Sequence, residues 1–411
     1  MKKFVPVLRF FAMSDMHIKD VYTKERFYTQ LAVQMMYEYA QSCTEYQGVD
    51  ALCIVGDFAN TGTEIQNQVF KDILDKNIKP ETQVFIALGN HEFRPEGGGN
   101  DATMEKLKRI FRQEPDLHIV LKGYHFIFLS QNSNEAKFDK GKQTWLQQQL
   151  AIAAADTPEK PIFVFQHPHI GNTVVGSRGS DRSELMPILE KCPQVIDFSG
   201  HSHAAISDPR NIHQKYFTSV GTGTMDYFQI DDKGLVYGDR PLDRRMPLDP
   251  RNAAQMLIVE VDAQSAVRII PFDLMTKRPF KEEWLVEKSW DPKTFVYTEE
   301  RYLHATTPYF DEKSRISLLK ITEAGVEFEF DQGKDDGDGV HSYEISVINE
   351  KDHQVVEKFK MWSDYFYNNQ PEKLTWYVGG LQQNTDYILS IRAINFWDKH
   401  SREALELPFR L

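Results

Sequence analysis

Five apolar runs in this chain each stop at a residue able to bind a metal ion, and few architectures accommodate that pattern. ALCIV passes without a break to Gly56 and Asp57. VLRFFAM leads to Asp15 and His17, VFIAL to Asn90, His91 and Glu92, PIFVF to His167 and His169, and VIDFS to His201 and His203. A short continuous apolar run reads as a strand covered on both faces, which is the condition of a parallel sheet. In such sheets ligands collect beyond the carboxyl ends of the strands, so five tips carrying Asp, His and Asn predict one shared pocket in an α/β domain. Asp and His are poor choices at the end of an apolar strand unless a metal or a partner offsets their desolvation.

The segments between the runs fit that frame. Leu31, Val33, Met36 and Tyr39 predict a helix over Arg26 to Gln41, and a second is expected from Glu64 to Lys76. YHFIFLS reads as another buried strand, and KGKQTWLQQQLAIAAA as a helix with Trp145, Leu146 and Leu150 facing the core. RPEGGGND lacks the GK[ST] ending of a phosphate cradle and reads as a flexible loop bordering the pocket. GNTVVGSRGSDRSE, with Arg178 and Arg182 as its cations, is expected to be a solvated loop with the reach to cover a substrate. KYFTSVGTGTMDYFQI and AAQMLIVEVDAQSAVRIIPFDL are strand-rich and would extend a second sheet behind the site, with the surface loop GDRPLDRRMPLDPRN between them.

At 411 residues the chain is too long for one ordinary core. From about Thr306 the pattern becomes short alternating strands (GVEFEFD, HSYEISVIN, QVVEKFKMW, KLTWYVGGL, TDYILSIRAINFW and LELPFRL), so a large domain over 1–300 and a separate β-sandwich over 306–411 are expected. A net charge of -12 with no basic run among aromatics argues against a nucleic acid duplex as partner. Cys43, Cys53 and Cys192 are too few and scattered for a disulfide framework or a Cys-rich zinc site. No window is long and apolar enough to span a bilayer. Pro6 and Arg9 interrupt MKKFVPVLRFFAM, and cleavage after it would remove the strand presenting Asp15, so it reads as the first strand rather than a signal peptide. A cytoplasmic location is then expected, and a secreted or cell-surface one if a leader precedes this strand.

In this order the tips resemble the calcineurin-like metallophosphoesterase family: D-x-H at Asp15 and His17, G-D at Gly56 and Asp57, G-N-H-E at Gly89 to Glu92, a His at His167, and G-H-x-H at Gly200 to His203. The resemblance implies a four-layer α/β/β/α sandwich. It implies that Asp15, His17 and His203 serve one ion, that Asn90, His167 and His201 serve another, and that Asp57 bridges them. The family commonly has His, one residue, then Pro, which would put Gln166 in the ligand position ahead of Pro168. His167 is preferred because imidazole is the better transition-metal ligand, with His169 kept as a second-layer or substrate contact. Protein phosphatases of the family carry G-D-x-x-D-R-G, whereas Gly56 to Gly62 reads GDFANTG without the arginine. That departure favours the phosphodiesterase and nucleotide-hydrolase branches, some of which act on cyclic nucleotides, and leaves protein phosphatase or an inactive metal-binding module as alternatives.

The chemistry stands without the family. Seven oxygen and nitrogen ligands can hold two adjacent ions only by sharing, and a carboxylate is the side chain that bridges. Imidazole and carboxylate without thiolate suit Mn or Fe, with Zn a third choice. Two ions about 3.5 to 4 Å apart lower the pKa of a shared water and clamp phosphate oxygens for in-line attack, which is hydrolysis of a small phosphoester. His91, beside a ligand but not needed as one, is the expected acid, with Glu92 as its orienter. His118, His125, His213, His304, His341, His353 and His400 read as surface or satisfied core residues. GLQQNTDYILSIRAINFWDKHS resembles the last strands of a fibronectin type III domain, with Leu381 and Tyr387 at its tyrosine corner. A spacer or docking role, towards a protein or glycan partner, is expected of that domain.

Overall fold

In the computed structural model all five apolar runs are strands, and each is paired in parallel with at least one neighbour. The structure describes residues 3–135, 137–177, 184–229, 244–245 and 252–411. Arg178 and Arg182 lie outside the described residues, as does most of the 238–252 loop. The chain divides into two compact units, Met1–Leu235 with Arg251–Glu299, and Val236–Pro250 with Glu300–Leu411.

The first unit is built on two sheets. One carries β1 (Pro6–Met13), β2 (Ala51–Val55) and β3 (Gln83–Ala87) in parallel. The other carries β4 (Asp116–Leu121), β5 (Tyr124–Leu129), β6 (Ile162–Phe165), β7 (Val195–Ser199), β8 (Ile212–Gln214) and β9 (Thr218–Gly221), in the order β4-β5-β6-β7-β9-β8. After β10 (Arg244–Arg245), which pairs within the second unit, β11 (Gln255–Asp262) and β12 (Val267–Asp273) form a hairpin whose first strand lies antiparallel to β1. The strand-rich segments after His203 therefore do not extend a single sheet. Β9 joins β7 in one sheet and the hairpin joins β1 in the other, a partition that apolar runs of equal character cannot signal.

Alternation along the strands explains why the sheets stack. Phe10 on β1 points at the other sheet, where its ring centroid lies 5.1 Å from that of Phe126, 4.9 Å from Phe163, and 5.9 Å from Phe165 and Phe198, all edge to face. Leu8, Ala12, Cys53 and Val55 fill the same interlayer core. Phe11 and Met13, one residue out of phase, face the opposite way against α1 (Lys24–Ser42) and α2 (Glu64–Asn77), which contribute Leu31, Met35, Phe70 and Ile73. The second sheet's outer face takes Leu146 and Leu150, with Trp145 partly buried beside them, from a helix at Lys140–Asp156. The result is the four-layer α/β/β/α sandwich.

The stretch 94–101 is not a loop throughout. A short 3-10 turn at Pro95–Gly97 runs into α3 (Gly99–Lys106), with Gly98 at φ 93° supplying the left-handed joint. Three consecutive glycines hide this helix in the sequence, because its order comes from partners elsewhere: Thr103 Oγ1 donates to the Glu92 carbonyl, and the buried Lys106 ammonium donates to the carbonyls of Gly62 and Gly97.

The second unit is built of strands, with one short helix, Arg301–His304, among its described residues. Ile316–Thr322, Gly325–Asp331 and Lys373–Gly379 form one sheet, and Val355–Trp362, Val340–Asn349, Asp386–Asn395 and Leu405–Arg410, with β10 on the outer edge, form another. Val326, Phe328 and Phe330 share a core with Tyr343, Ile345, Leu389 and Ile391. The strand Ile316–Thr322 escapes sequence reading because little of it beyond Ile316 is buried. Tyr387 is buried and its hydroxyl accepts the Gln382 N–H at 2.9 Å, with Leu381 in the same core.

Candidate metal centre

Three of the five tips turn through backbone that most side chains avoid. Asp15, His17, Asp57, His201 and His203 have φ of 56°, 50°, 52°, 73° and 54°. Left-handed non-glycine residues cost about 1–3 kcal/mol each and gather where a site needs them. The turns are tied to one another: Asp15 N–H donates to the Gly56 carbonyl at 3.1 Å, His17 N–H to the Asp57 carbonyl at 3.0 Å, and Gly200 N–H to the His167 carbonyl at 2.9 Å. Space is close. A methyl on Gly200 would lie 2.6 Å from the Asp15 carboxylate, and one on Gly89 would lie 2.7 Å from both the Asp57 amide nitrogen and the His167 ring.

The tips deliver three groups whose ligand atoms lie within 4.8 Å of one another: Asp15, His17 and His203; Asp57, His167 and His201; and His17, Asp57 and His91. Asp57 Oδ2 is 3.0 Å from His167 Nε2 and 3.9 Å from His91 Nε2. Asp15 Oδ1 is 3.3 Å from His203 Nε2 and 3.8 Å from His167 Nε2. His17 Nε2 and His203 Nε2 are 3.2 Å apart. Asp15 Oδ1, Asn90 Oδ1 and His167 Nε2 are buried without a hydrogen-bond partner. Buried polar atoms are nearly always bonded, so three orphans of ligand type at converging tips fit a metal ion as their missing partner. None of the three cysteines belongs to these groups, so the donor set is oxygen and nitrogen.

The electrostatics agree. Burial alone would lower the pKa of His167, yet Asp57 and Asp15 raise it to about 10. Burial works to raise Asp15, but the imidazoles of His203 and His167 hold it below the usual carboxylate range. The two carboxylates favour positive charge at His167, whereas burial and then the neighbouring His203 push His17 the other way, and burial lowers His91.

Outside these contacts, each remaining residue has a definite place. His167 rather than Gln166 faces the cluster, with Nδ1 bonded to the Val55 carbonyl at 2.7 Å, while Gln166 turns to the buried Asp197 at 3.1 Å. His169 bonds Ser199 and Ser202 hydroxyls at 2.7 and 2.6 Å and so braces the His201 to His203 turn. Glu92 does not orient the His91 ring. Its carboxylate accepts the N–H groups of Asp57, Ala59 and Gly89 at 3.0, 2.8 and 2.8 Å, binding two tips together, and burial followed by the nearby Asp57 pushes it up to about 8. The His91 ring is set instead by the Asn60 carbonyl, 2.7 Å from Nδ1, and by Arg94, whose Nη2 donates to Nε2 at 2.8 Å. His91 N–H donates to Asp57 Oδ1 at 2.8 Å.

Three contributors carry no ligand signature and were invisible to motif reasoning. Tyr227 stacks on His203 with centroids 4.1 Å apart, its carbonyl lies 3.0 Å from His203 Nδ1, and Thr224 Oγ1 reaches the same nitrogen at 3.0 Å. Arg94 is the third. Its place two residues after G-N-H-E is the signal that could have found it.

Residues 8–205 match the family model described as calcineurin-like phosphoesterase. Among solved structures, the chain is similar to the purple acid phosphatase PPD1 from yellow lupin (Lupinus luteus) seeds, at 13% identity over 68% of this chain with a TM-score of 0.46, and it spans 54% of that protein's length. It is also similar to a protein described as a myokine, at 14% identity over 26% of this chain and 96% of that one with a TM-score of 0.19. A protein described as FN3tt mut aligns at 17% identity over 26% of this chain and 97% of that one with a TM-score of 0.18. No curated protein matches. No helix among the described residues is long and apolar enough to cross a membrane.

Proposed function

Since this chain belongs through its first domain to the calcineurin-like phosphoesterase family, we propose that it hydrolyses a small phosphodiester or phosphomonoester at a centre of two transition-metal ions. The orphaned Asp15 Oδ1, Asn90 Oδ1 and His167 Nε2, the last of them 3.0 Å from Asp57 Oδ2, carry this reading. Asp15, His17 and His203 would hold one ion and Asn90, His167 and His201 the other, with Asp57 between them. Mn or Fe suits these donors best, and Zn next. Two such ions supply a nucleophile from water near neutral pH and neutralise phosphoryl oxygens.

This chain's own residues do the rest. Glu92 locks the Gly56–Asp57 and Gly89–Asn90 turns into one register, which fixes the backbone from which Asp57 reaches His167. His91 holds Nε2 on the cluster side with its ring fixed by Asn60; that nitrogen accepts from Arg94, and it serves as acid for the leaving oxygen once Arg94 has released it and it has taken up a proton. The absence of the G-D-x-x-D-R-G arginine favours diesters, cyclic nucleotides among them, over phosphoproteins. Elemental analysis paired with turnover of bis(p-nitrophenyl) phosphate and p-nitrophenyl phosphate in Mn, Fe or Zn tests the reading. Two equivalents of metal and metal-dependent turnover are expected; metal-loaded protein that hydrolyses neither ester would refute it.

For the second unit we propose a fibronectin type III-like docking domain towards a protein or glycan, supported by the Tyr387 hydroxyl bonded to Gln382 across the corner.

A further inference from the structure

A half-buried arginine at the rim of the metal centre has no carboxylate partner. Among the described residues Arg94 makes no ion pair, whereas Arg9, Arg109, Arg210, Arg268 and Arg410 each pair with a carboxylate. Its guanidinium instead spends one N–H on a neutral acceptor, His91 Nε2, at 2.8 Å. That atom is itself 3.9 Å from Asp57 Oδ2. The cation thus sits one hydrogen bond away from the cluster, on the same side as the candidate acid.

Its position is built rather than accidental. Arg94 joins two short turns, His91–Phe93 and Pro95–Gly97, and its carbonyl accepts Gly97 N–H at 2.9 Å. Gly97 packs so tightly on the G-D-F-A-N-T-G turn that a methyl group there would come within 2.6 Å of the Gly62 carbonyl oxygen. The buried Lys106 ammonium clasps the carbonyls of both Gly62 and Gly97. Two close approaches therefore fix the arginine's backbone to the turn that carries Asp57 and Asn60, which is the preorganisation a binding group needs. An arginine fork matches two phosphoryl oxygens at once and keeps its charge at every working pH.

We infer that Arg94 grips the non-bridging oxygens of the substrate's phosphoryl group, exchanging its bond to His91 for the anion. It thereby supplies from the tip of β3 the cation that G-D-F-A-N-T-G lacks. This rests on the phosphoesterase reading for its substrate, but the anion site itself does not need turnover to be seen.

The test is titration of the metal-loaded wild type, Arg94→Gln and Arg94→Lys with inorganic phosphate by calorimetry, with metal content measured on the same samples. Loss of a charge-assisted contact is expected to raise the Kd of Arg94→Gln by roughly tenfold to a hundredfold at unchanged metal content, with Arg94→Lys in between. An arginine that only braces His91 would lower turnover and leave phosphate affinity alone, so equal Kd values for wild type and Arg94→Gln overturn the inference, as does a wild type that binds no phosphate. Arginine-dependent phosphate binding in a protein that hydrolyses neither nitrophenyl ester would uphold this site and overturn the hydrolase reading alone.

Discussion

Asp57 Oδ2 and His167 Nε2 lie 3.0 Å apart, yet the carboxylate comes from the end of β2 in one sheet and the imidazole from the end of β6 in the other. The contact spans the two inner layers, so the centre exists only when the sheets are stacked in register. Removing the Asp57 side chain takes away the carboxylate that lies nearest His167 and also approaches His91. Asp57→Ala is expected to lose metal, whereas His91→Ala keeps metal and loses most turnover. Elemental analysis beside nitrophenyl ester kinetics checks this, and equal metal loss in both variants would contradict the division of roles.

Glu92 should behave as a positioning residue. Its carboxylate satisfies three buried backbone N–H groups, so Glu92→Ala leaves three donors without an acceptor and should destabilise the domain by roughly 2–4 kcal/mol in urea melts. Metal affinity should fall by about 10- to 100-fold, as when an outer support of a ligand shell is removed. Glu92→Gln, which keeps one acceptor oxygen, should recover part of both.

Asp197 predicts a pH dependence of stability that owes nothing to the metals. Burial pushes its carboxyl up to about 8, with Gln166 as its bonded partner. Between about pH 4 and 8 the unfolded chain has released this proton and the folded one has kept it, so unfolding sheds a proton and stability falls as pH rises. The favourable contribution is whole below about pH 4 and gone above about pH 8, a change on the order of a few kcal/mol. Asp197→Asn should flatten this slope. Urea midpoints that vary with pH equally in both proteins would show that Asp197 is not its source.

The interlayer core offers a mechanical test. Phe10 is fully buried among four phenylalanines of the facing sheet, and Phe10→Ala should cost about 3–5 kcal/mol. Because it loosens the register between sheets, metal retention during dialysis should also shorten, which a surface change such as Val120→Ala should not produce.

The convergence of the tips is readable from the runs themselves, since a strand buried on both faces that ends in Asp or His leaves few places for the polar group to go. The helices at Lys24–Ser42 and Glu64–Asn77 are legible for the same reason: their apolar faces declare a period. What is not legible depends on partners remote in sequence. The helix Gly99–Lys106 opens on glycine and is ordered by the Gly62 carbonyl, remote in sequence, as well as by those of Glu92 and Gly97. Glu92 looks like an orienter of its neighbour until the backbone N–H groups of Asp57, Ala59 and Gly89 are seen around it. Tyr227 and Thr224 reach His203 through ordinary side chains with no ligand pattern. Which sheet takes the hairpin β11–β12 depends on strand order, about which an apolar run is silent.

The left-handed turns at Asp15, His17, Asp57, His201 and His203 limit what evolution can do with this centre. β-branched residues are strongly disfavoured in that backbone, whereas Asn, Asp, His and Gly enter it readily. A descendant that abandoned its ions would therefore drift first to asparagine or glycine at these places, not to the valine or isoleucine of the adjoining strands. Its extinct chemistry would persist as a ring of short polar residues at the mouth of an otherwise greasy sandwich.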